Sequence, residues 1–451
     1  MTPSDLSGSL VPSGRLRHPA FREAFWFWLK LGVISFGGPT GQIAIMHVEL
    51  VEKKRWISEA RFLHALNYCM LLPGPEAQQL ATYVGWLLHK TRGGLVAGAC
   101  FVLPSAFILW VLSYVYVVLG NTPGVAAVFY GLKPAVLAIV ASAVLRLGGR
   151  VLKNAAMWTL AAVAFAAIFF LRVPFPLIIL GAASAGYGGG RWRRDNFLVI
   201  RPQGLPGDDA VLHDTSGVPD HAQPSWVRAL WVGIVGVTAW AAPVIFLACW
   251  LGREHTLVRE GVFFSKAALV TFGGAYAVLP YVAQQAVQSH HWLTAGQMLD
   301  GLGLAETTPG PLIIVTQFVG FLGAWNHPGP LPRLVSATLG AAVTTWTTFT
   351  PCFLWIFLGG PYIERLRGNE ALSTALSAVT AAVVGVVLNL AVWFGLHVVF
   401  PGDGAVDWAA VLIAAIIFVG MTRYRWSVGI VVLAAGLVGL ALKWVGPMLV
   451  P

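Results

Sequence analysis

Long apolar runs separated by short polar loops dominate this chain. The runs at 226–250 and 371–399 nearly lack charged residues, and each exceeds the roughly 20 residues that an α-helix needs to cross a bilayer. The pattern predicts ordinary spans at 94–119, 124–147, 155–171, 174–189, 226–250, 335–357, 372–398, 408–422 and 426–447. We therefore expect an all-α polytopic membrane protein.

The helix breakers in this pattern occur twice. Phe36-Gly37-Gly38 recurs as Phe272-Gly273-Gly274, and Pro73-Gly74-Pro75 recurs at the same spacing as Pro309-Gly310-Pro311. Gly- and Pro-interrupted helices at corresponding positions of two halves mark the binding sites of secondary transporters. The sequence therefore predicts two homologous repeats whose helices are broken or re-entrant at these four places.

The repeats divide the chain into five parts. The segment 188–223 is polar and lacks apolar periodicity, as expected of a solvated linker. The predicted parts are a cytoplasmic N-terminal tail at 1–20, a first repeat at 21–187, a cytoplasmic linker at 188–225, a connecting transmembrane helix at 226–252 and a second repeat at 253–451.

Basic residues are distributed unevenly among the loops, which predicts the side of the membrane on which each loop lies. Cytoplasmic loops are enriched in Lys and Arg, and Lys53-Lys54-Arg55 of the first repeat is replaced by Ser289-His290-His291 in the second. Clustered Lys or Arg occurs in the loops at 15–22, 52–61, 89–92, 146–153 and 191–201, but not in those at 120–123 and 400–407. We therefore expect two repeats of inverted topology, with the N-terminus and the linker in the cytoplasm.

This sidedness leaves two forms open for the broken segments. If the loops at 15–22, 52–61 and 89–92 are all cytoplasmic, the segments between them enter and leave on one side as re-entrant hairpins. Broken full spans are the alternative, and both forms leave the repeats inverted. In either case, irregular backbone at membrane depth requires packing in protein or a cavity.

The breaks are candidate anion sites. Where a helix restarts, free N–H groups and the helix dipole provide partial positive charge, and glycine lets an anion approach the backbone. The alternative is that Gly and Pro only allow close helix packing. The candidate substrate-binding residues are the backbone positions Gly37, Gly38, Gly74, Gly273, Gly274 and Gly310, with the neutral side chains Ser35, Asn67, Gln78, Thr271, Thr307 and Thr308.

Three lysines are candidates for attracting an anion. Lys133 lies inside the apolar run at 124–147, where an ionisable group is costly and is a functional candidate. It either binds substrate or extends to the membrane interface. Lys30 and Lys266 occupy equivalent repeat positions before the glycines, and each is either an anion guide or an interface anchor.

Three titratable residues are candidates for coupling or gating. Glu76 follows the first Pro-Gly-Pro and Glu306 precedes the second, and a carboxylate in a low dielectric can carry a proton. The alternatives are a dipole interaction at a helix N-terminus for Glu76 and an interhelical hydrogen bond for Glu306. Histidine titrates near neutral pH, but the place of His47 near a predicted cytoplasmic loop also fits a solvated side chain.

Composition narrows the class of function. The chain is 57% hydrophobic and 11% charged, with a net charge of +10. In a membrane protein, loop arginines beside anionic lipid headgroups explain this charge without nucleic acid. The four cysteines lie singly in apolar segments, and no P-loop, H-E-x-x-H or G-x-S-x-G motif is present. We therefore expect no metal site and no cofactor.

Taken together, the motifs resemble the chromate ion transporter (CHR) family in its long two-domain form. The resemblance is carried by 36–39 (FGGP), 72–75 (LPGP), 103–105 (LPS), 131–136 (GLKPAV), 272–274 (FGG) and 306–311 (ETTPGP). It implies a chromate exporter of the bacterial cytoplasmic membrane, powered by the proton-motive force or by exchange, that confers chromate resistance. It implies no residue-level assignment.

We therefore expect a secondary active transporter that exports chromate and is not an enzyme. Its expected partners are the chromate anion, protons or a counter-anion, and the lipid bilayer. A carrier of another tetrahedral oxyanion such as sulfate is the alternative within transport, and a membrane-embedded enzyme or sensor is the alternative from another class. The sequence leaves the coupling ion and the oligomeric state open, a homodimer included.

Overall fold

The computed structural model describes residues 17–36, 38–197, 211–212, 221, 223–362, 370–401 and 405–449. Its helices are α1 (Phe21–Ile34), α2 (Gly38–His47), α3 (Glu59–Leu71), α4 (Glu76–Leu119), α5 (Pro123–Val151), α6 (Ala155–Phe169), α7 (Phe175–Trp192), α8 (Arg194–Phe197), α9 (Trp226–Leu251), α10 (Thr256–Leu269), α11 (Ala275–Gln284), α12 (Ala295–Thr307), α13 (Val315–Asn326), α14 (Arg333–Gly359), α15 (Glu370–Val399), α16 (Trp408–Arg423) and α17 (Val428–Leu449). Helices α2 and α11 continue into the π-helical turns Val48–Lys53 and Gln285–Ser289. The predicted N-terminal tail and most of the predicted linker lie outside the described residues.

The predicted all-α membrane architecture is confirmed. In the described part of the chain, β-pairing is limited to an isolated bridge between Ile57 and Leu212. Five helical segments there are long and apolar enough to cross a membrane, namely Glu76–Leu119, Pro123–Val151, Trp226–Leu251, Arg333–Tyr362 and Ala371–Val399.

Two helices begin at side-chain caps. The Ser58 side chain accepts a hydrogen bond from the N–H of Arg61 at the start of α3. Thr294 and Gln297 form a reciprocal capping box at the start of α12. Such caps satisfy N–H groups that have no partner inside the helix.

Helix α4 folds back on itself at His89 and Lys90. Lys90 has a φ of 56°, and a Cβ added to Gly85 would lie 2.5 Å from the Cβ of Ala97. In a straight helix these two positions would be roughly 18 Å apart along the axis. Helix α4 therefore has a short first arm at 76–88 and a long second arm at 91–119.

Two helical hairpins precede this second arm, and their open ends lie together. Lys54, just after the π-helical turn that follows α2, pairs with Glu23 at the start of α1 at 2.9 Å. His89, at the turn of α4, hydrogen-bonds to the carbonyl of Pro19 at 2.9 Å. Helices α1 and α2 thus leave and return to one end of the molecule, as do α3 and the first arm of α4. We call this end the Lys54 face.

The second half forms two hairpins of the same kind, from α10 with α11 and from α12 with α13. The ring of His290 stacks on Trp292 at 4.4 Å, and Phe263 of α10 contacts both. Asn326, at the end of α13, donates to the carbonyl of Trp292 at 2.8 Å. Asn121, beyond the end of α4, lines one cavity with Asn326. The open ends of these hairpins therefore lie with the 120–123 loop, at an end that we call the His290 face.

Small residues let the long helices pack closely around the hairpins. A Cβ added to Gly131 of α5 would lie 2.0 Å from the carbonyl oxygen of Ala435 in α17. A Cβ on Gly385 of α15 would lie equally close, at 2.0 Å, to the carbonyl oxygen of Ala161 in α6. Lipid tails are as apolar as side chains, so such close backbone contacts, rather than hydrophobic burial, hold membrane helices together. This packing fixes the positions of the hairpin tips.

Candidate functional site

The tips of the four hairpins meet through two backbone hydrogen bonds that mirror each other. The N–H of Gly74 donates to the carbonyl of Thr271 at 2.7 Å, and the N–H of Gly310 donates to the carbonyl of Ser35 at 2.7 Å. Gly74 and Gly310 are equivalent in the repeat, as are Ser35 and Thr271. Each half therefore satisfies a polar group in the broken backbone of the other, as a buried break requires.

The Pro-Gly-Pro tips are tightly packed. Gly74 and Gly310 have φ values of 128° and 93°, in a region that other residues avoid. An added Cβ would lie 2.7 Å from Sγ of Cys352 at Gly74, and 2.6 Å from Oγ of Ser105 at Gly310. These two glycines thus allow the close contact between the halves and leave little space beside their own Cα atoms.

The restart of α11 at Gly274 faces a carboxylate from the other half. A Cβ added to Gly274 would lie 3.3 Å from both oxygens of Glu76, whereas the nearest neighbour of Gly273 is Val383 at 3.8 Å. Glu76 is buried and begins α4. Its carboxylate therefore lies near two helix N-termini, where partial positive charge favours an anion.

The restart of α2 at Gly38 faces a tyrosine paired with a second carboxylate. The hydroxyl of Tyr276 would lie 3.8 Å from a Cβ added to Gly38, and it donates to Glu306 at 2.7 Å. The charge of Arg146 acts on both Tyr276 and Glu306, although Arg146 itself is exposed near the end of α5. The positive charge of an exposed residue therefore influences the buried Tyr276–Glu306 pair. Gly37 lies outside the described residues.

The hydroxyl candidates donate within their own helices. Ser35 and Thr271 each donate to the carbonyl one turn earlier at 2.6 Å. Thr307 and Thr308 both donate to the carbonyl of Leu304 at 2.7 Å. In this arrangement, their protons are engaged by the backbone and only their oxygen lone pairs are available.

Two amide candidates lie on the helices that flank the first Pro-Gly-Pro. Gln78 is fully buried and donates to Thr82 at 3.2 Å. Its Oε1 atom has no hydrogen-bond partner among the described residues. Asn67 is half-buried on α3. Gln78 thus offers an unused acceptor beside the tips.

The structure places His47 and Lys30 towards the Lys54 face. His47 ends α2 and pairs with Glu52 at 3.2 Å. The Nζ atom of Lys30 lies 3.9 Å from a carboxylate oxygen of Glu49. Lys266 is exposed near the end of α10. The structure therefore does not bring His47 and Lys30 to the tips.

Lys133 lies in a separate cavity of about 450 Å³ at the His290 face. Its Nζ atom is 3.8 Å from Oδ1 of Asp300, and the glycine breaks do not line this cavity. The described residues contain no group of three or more His, Cys, Asp or Glu side chains that could hold a metal ion.

Three functional candidates are missed by sequence reasoning. Tyr276 lies in an apolar helix and contacts Glu306 across thirty positions of chain. Gln42 is buried and donates to the carbonyl of Gly310 in the other half. Asp300 is an acidic residue in the middle of the apolar helix α12, which carries a second one, Glu306, near its end. A charge inside an apolar helix is the signal that could have identified Asp300.

Comparison with known proteins identifies a family. A protein-family model described as chromate transporter matches residues 22–187 and 259–440. The chain is 32% identical over 428 residues to a "Chromate transport protein" of Pseudomonas aeruginosa, covering 93% of this chain and 92% of the relative. It is 28% identical over 422 residues to a protein of the same description from Cupriavidus metallidurans, with coverage of 93% and 92%. A "Probable chromate transport protein" of Synechococcus elongatus is 29% identical over 385 residues, with coverage of 84% and 86%. No solved structure matches.

Proposed function

Because this chain belongs to the chromate transporter family, whose model covers both halves, we propose that it moves chromate across the membrane as a secondary active exporter. It is a multi-pass membrane protein of a transporter family. The curated relatives from Pseudomonas aeruginosa and Cupriavidus metallidurans are named as transport proteins rather than as enzymes. We propose that the protein lies in the cytoplasmic membrane of a bacterium, with its Lys54 face towards the cytoplasm.

We infer that the two halves are inserted in opposite orientations. The second arm of α4 starts beside the Lys54 face and ends beside Asn121 at the His290 face. The hairpins of the first half open at the Lys54 face, and those of the second half open at the His290 face. Hairpins that enter from opposite sides and meet at their tips provide a site at mid-depth.

The anion site is proposed to lie between the restarts at Gly38 and Gly274. The observation that carries this proposal is the position of Glu76, whose two carboxylate oxygens lie near Gly274. An oxyanion needs the same surroundings as a carboxylate, namely helix N-termini and hydrogen-bond donors. The position of the Glu76 carboxylate thus marks surroundings that suit an oxyanion, and Gly74 and Gly310 hold the tips together.

Carboxylates in this position are suited to gating. A dianion beside an ionised Glu76 and an ionised Glu306 would be repelled, so the substrate enters when a carboxylate is displaced or protonated. Arg146 is exposed and acts electrostatically on Glu306. It therefore offers an attractive charge on the route between the cytoplasmic surface and the Gly38 restart.

The membrane potential can drive export of a dianion by itself. Moving one elementary charge through 100 mV changes its free energy by about 2.3 kcal/mol. At that potential, the exit of a dianion from an inside-negative cell is therefore favoured by about 4.6 kcal/mol. The electrical component of the proton-motive force is therefore sufficient in principle, and the carboxylates add a response to pH.

Chromate uptake by everted membrane vesicles tests this function. Uptake is expected in vesicles that contain the protein, and it should fall when an ionophore collapses the potential. A smaller change is expected when only the pH gradient is collapsed. Vesicles that contain the Gly274→Leu variant at equal abundance are the matched control. Uptake no greater than in that control would contradict the proposed function.

A further inference from the structure

A polar cavity at the His290 face lies apart from the hairpin tips. It is formed by α4, α5, α12 and α13, and its volume of about 450 Å³ is within the range of ligand pockets. Neutral donors surround it, including Asn121, Gln297 and Asn326. Its described lining residues include three titratable groups, which are Tyr116, Lys133 and Asp300.

The ion pair in this cavity is loose and uneven. Tyr116 donates to Oδ2 of Asp300 at 2.9 Å. Oδ1 has no hydrogen-bond partner among the described residues and lies 3.8 Å from Nζ of Lys133, too far for a hydrogen bond. The Asp300 side chain is 6% exposed, whereas that of Lys133 is 35% exposed. The lysine can therefore turn to another partner in the cavity, whereas the carboxylate is largely shielded from water.

We propose that the cavity is a second oxyanion site, in which a tetrahedral dianion replaces Asp300 as the partner of Lys133 and Asp300 takes up one proton. The proposal rests on the proposed transport of such anions. Lys133 supplies the fixed charge, and the amides of Asn121 and Gln297 replace part of the water shell of the anion. The site lies on the predicted outer side, where an exported anion would be released.

Proton uptake follows from burial. A carboxylate that loses a nearby cation while it stays buried is strongly destabilised. The approaching dianion adds repulsion, so the charged form of Asp300 becomes still less favourable. Tyr116 and Lys133 are the charged or titratable groups that face Asp300 from α4 and α5, and the α13 residues Leu322, Trp325 and Asn326 of the lining are uncharged. Anion binding and proton binding at Asp300 therefore strengthen each other.

Sulfate is the probe of choice, because it is a tetrahedral dianion that does not itself titrate between pH 6.5 and pH 8. Binding of sodium sulfate to the purified full-length protein is measured by calorimetry, and proton uptake by a pH-indicator dye. The wild-type protein is expected to take up one proton for each sulfate bound at this site. Its affinity should fall by up to about tenfold for each unit of rising pH, the limit for a one-proton linkage.

Three variants make the test specific. Asp300→Asn should bind sulfate without proton uptake and without pH dependence. Lys133→Gln should lose this binding, and Lys133→Arg should retain part of it because the charge remains. Size-exclusion chromatography of each variant checks that it is folded. Proton uptake by Asp300→Asn equal to that of the wild-type protein, or no sulfate binding by the wild-type protein, would overturn the proposal.

Vesicle transport separates this proposal from the proposed function. If the wild-type protein transports chromate but Asp300→Asn and Lys133→Gln bind sulfate as it does, the second site is refuted and the transport function stands. If the wild-type protein transports no chromate but the variants show the expected binding, the cavity stands and the transport function is refuted.

Discussion

The restarts at Gly38 and Gly274 share a backbone arrangement but differ in the side chains that face them. The backbone hydrogen bonds of the tips are reciprocal, at 2.7 Å in both directions. Glu76 faces Gly274 directly, whereas Glu306 faces Gly38 through the hydroxyl of Tyr276. The two halves thus share one framework for breaking helices, while the side chains at the two breaks differ. We therefore expect one site with two unequal sides rather than two copies of one site.

Substitution of the two glycines should show the largest difference between the breaks. Both glycines have a positive φ, 89° at Gly274 and 68° at Gly38, so each alanine adds backbone strain of about 1–3 kcal/mol. Gly274→Ala also places a Cβ 3.3 Å from the carboxylate of Glu76. Transport is expected to fall more than in Gly38→Ala, whose nearest neighbour is 3.8 Å away. Chromate uptake by everted vesicles measures both effects.

Gly149→Ala is the control for this pair, because nothing lies within 4 Å of the added Cβ. It should transport like the wild-type protein. Equal losses in the Gly38 and Gly274 variants at equal abundance would remove the difference between the two restarts.

Much of this framework could be predicted from the sequence. The repeated breakers, the Ser58 cap and the Thr294 cap are local signals, and local signals specify where helices begin and end. The partners of the tips could not be predicted, because Gly74 and Thr271 are joined only when the two halves pack. Tyr276 and Asp300 also belong to contacts between distant segments, and no periodicity marks such contacts.

Neutralising the two carboxylates should produce the next largest difference. Glu76→Gln removes the anion that occupies the Gly274 restart, so the KM for chromate should fall by about fivefold, equivalent to about 1 kcal/mol. The maximal rate of transport should also fall, because an ionised Glu76 no longer helps to displace bound chromate. Glu306→Gln should change the KM less, because its amide oxygen can still accept from Tyr276. Initial rates of vesicle uptake measure both constants, and a larger KM change in the Glu306 variant would reverse the assignment.

Tyr276→Phe should have a smaller effect. It removes the hydrogen bond to Glu306, which contributes about 1.5–3 kcal/mol to stability for a charged acceptor. The variant should lower the midpoint of thermal unfolding in detergent. It should change chromate uptake less than Glu76→Gln does, because Tyr276 faces Gly38 and not Gly274. Combined with Glu306→Gln, it should cause less than the sum of the two single effects, because both act on one contact. Additive effects would show that the two residues act independently.

Gln42→Leu should have the smallest effect. It removes a side-chain hydrogen bond to the carbonyl of Gly310, worth about 1 kcal/mol. The equivalent residue of the second half is Val278, so that half manages without this bond. The variant should unfold at a slightly lower temperature and still transport chromate. Complete loss of transport in folded protein would place Gln42 in the anion site.

Cysteine labelling at the two faces tests most directly whether the halves enter the membrane from opposite sides. Cys69, Cys100 and Cys352 are buried and Cys249 is exposed, so Cys249→Ser provides a suitable background. Lys54→Cys should react with a membrane-impermeant maleimide only in everted vesicles. His290→Cys, with Asn121→Cys as a second marker of its face, should react only in right-side-out vesicles. Labelling of the Lys54 and His290 positions from the same side would contradict the inverted arrangement.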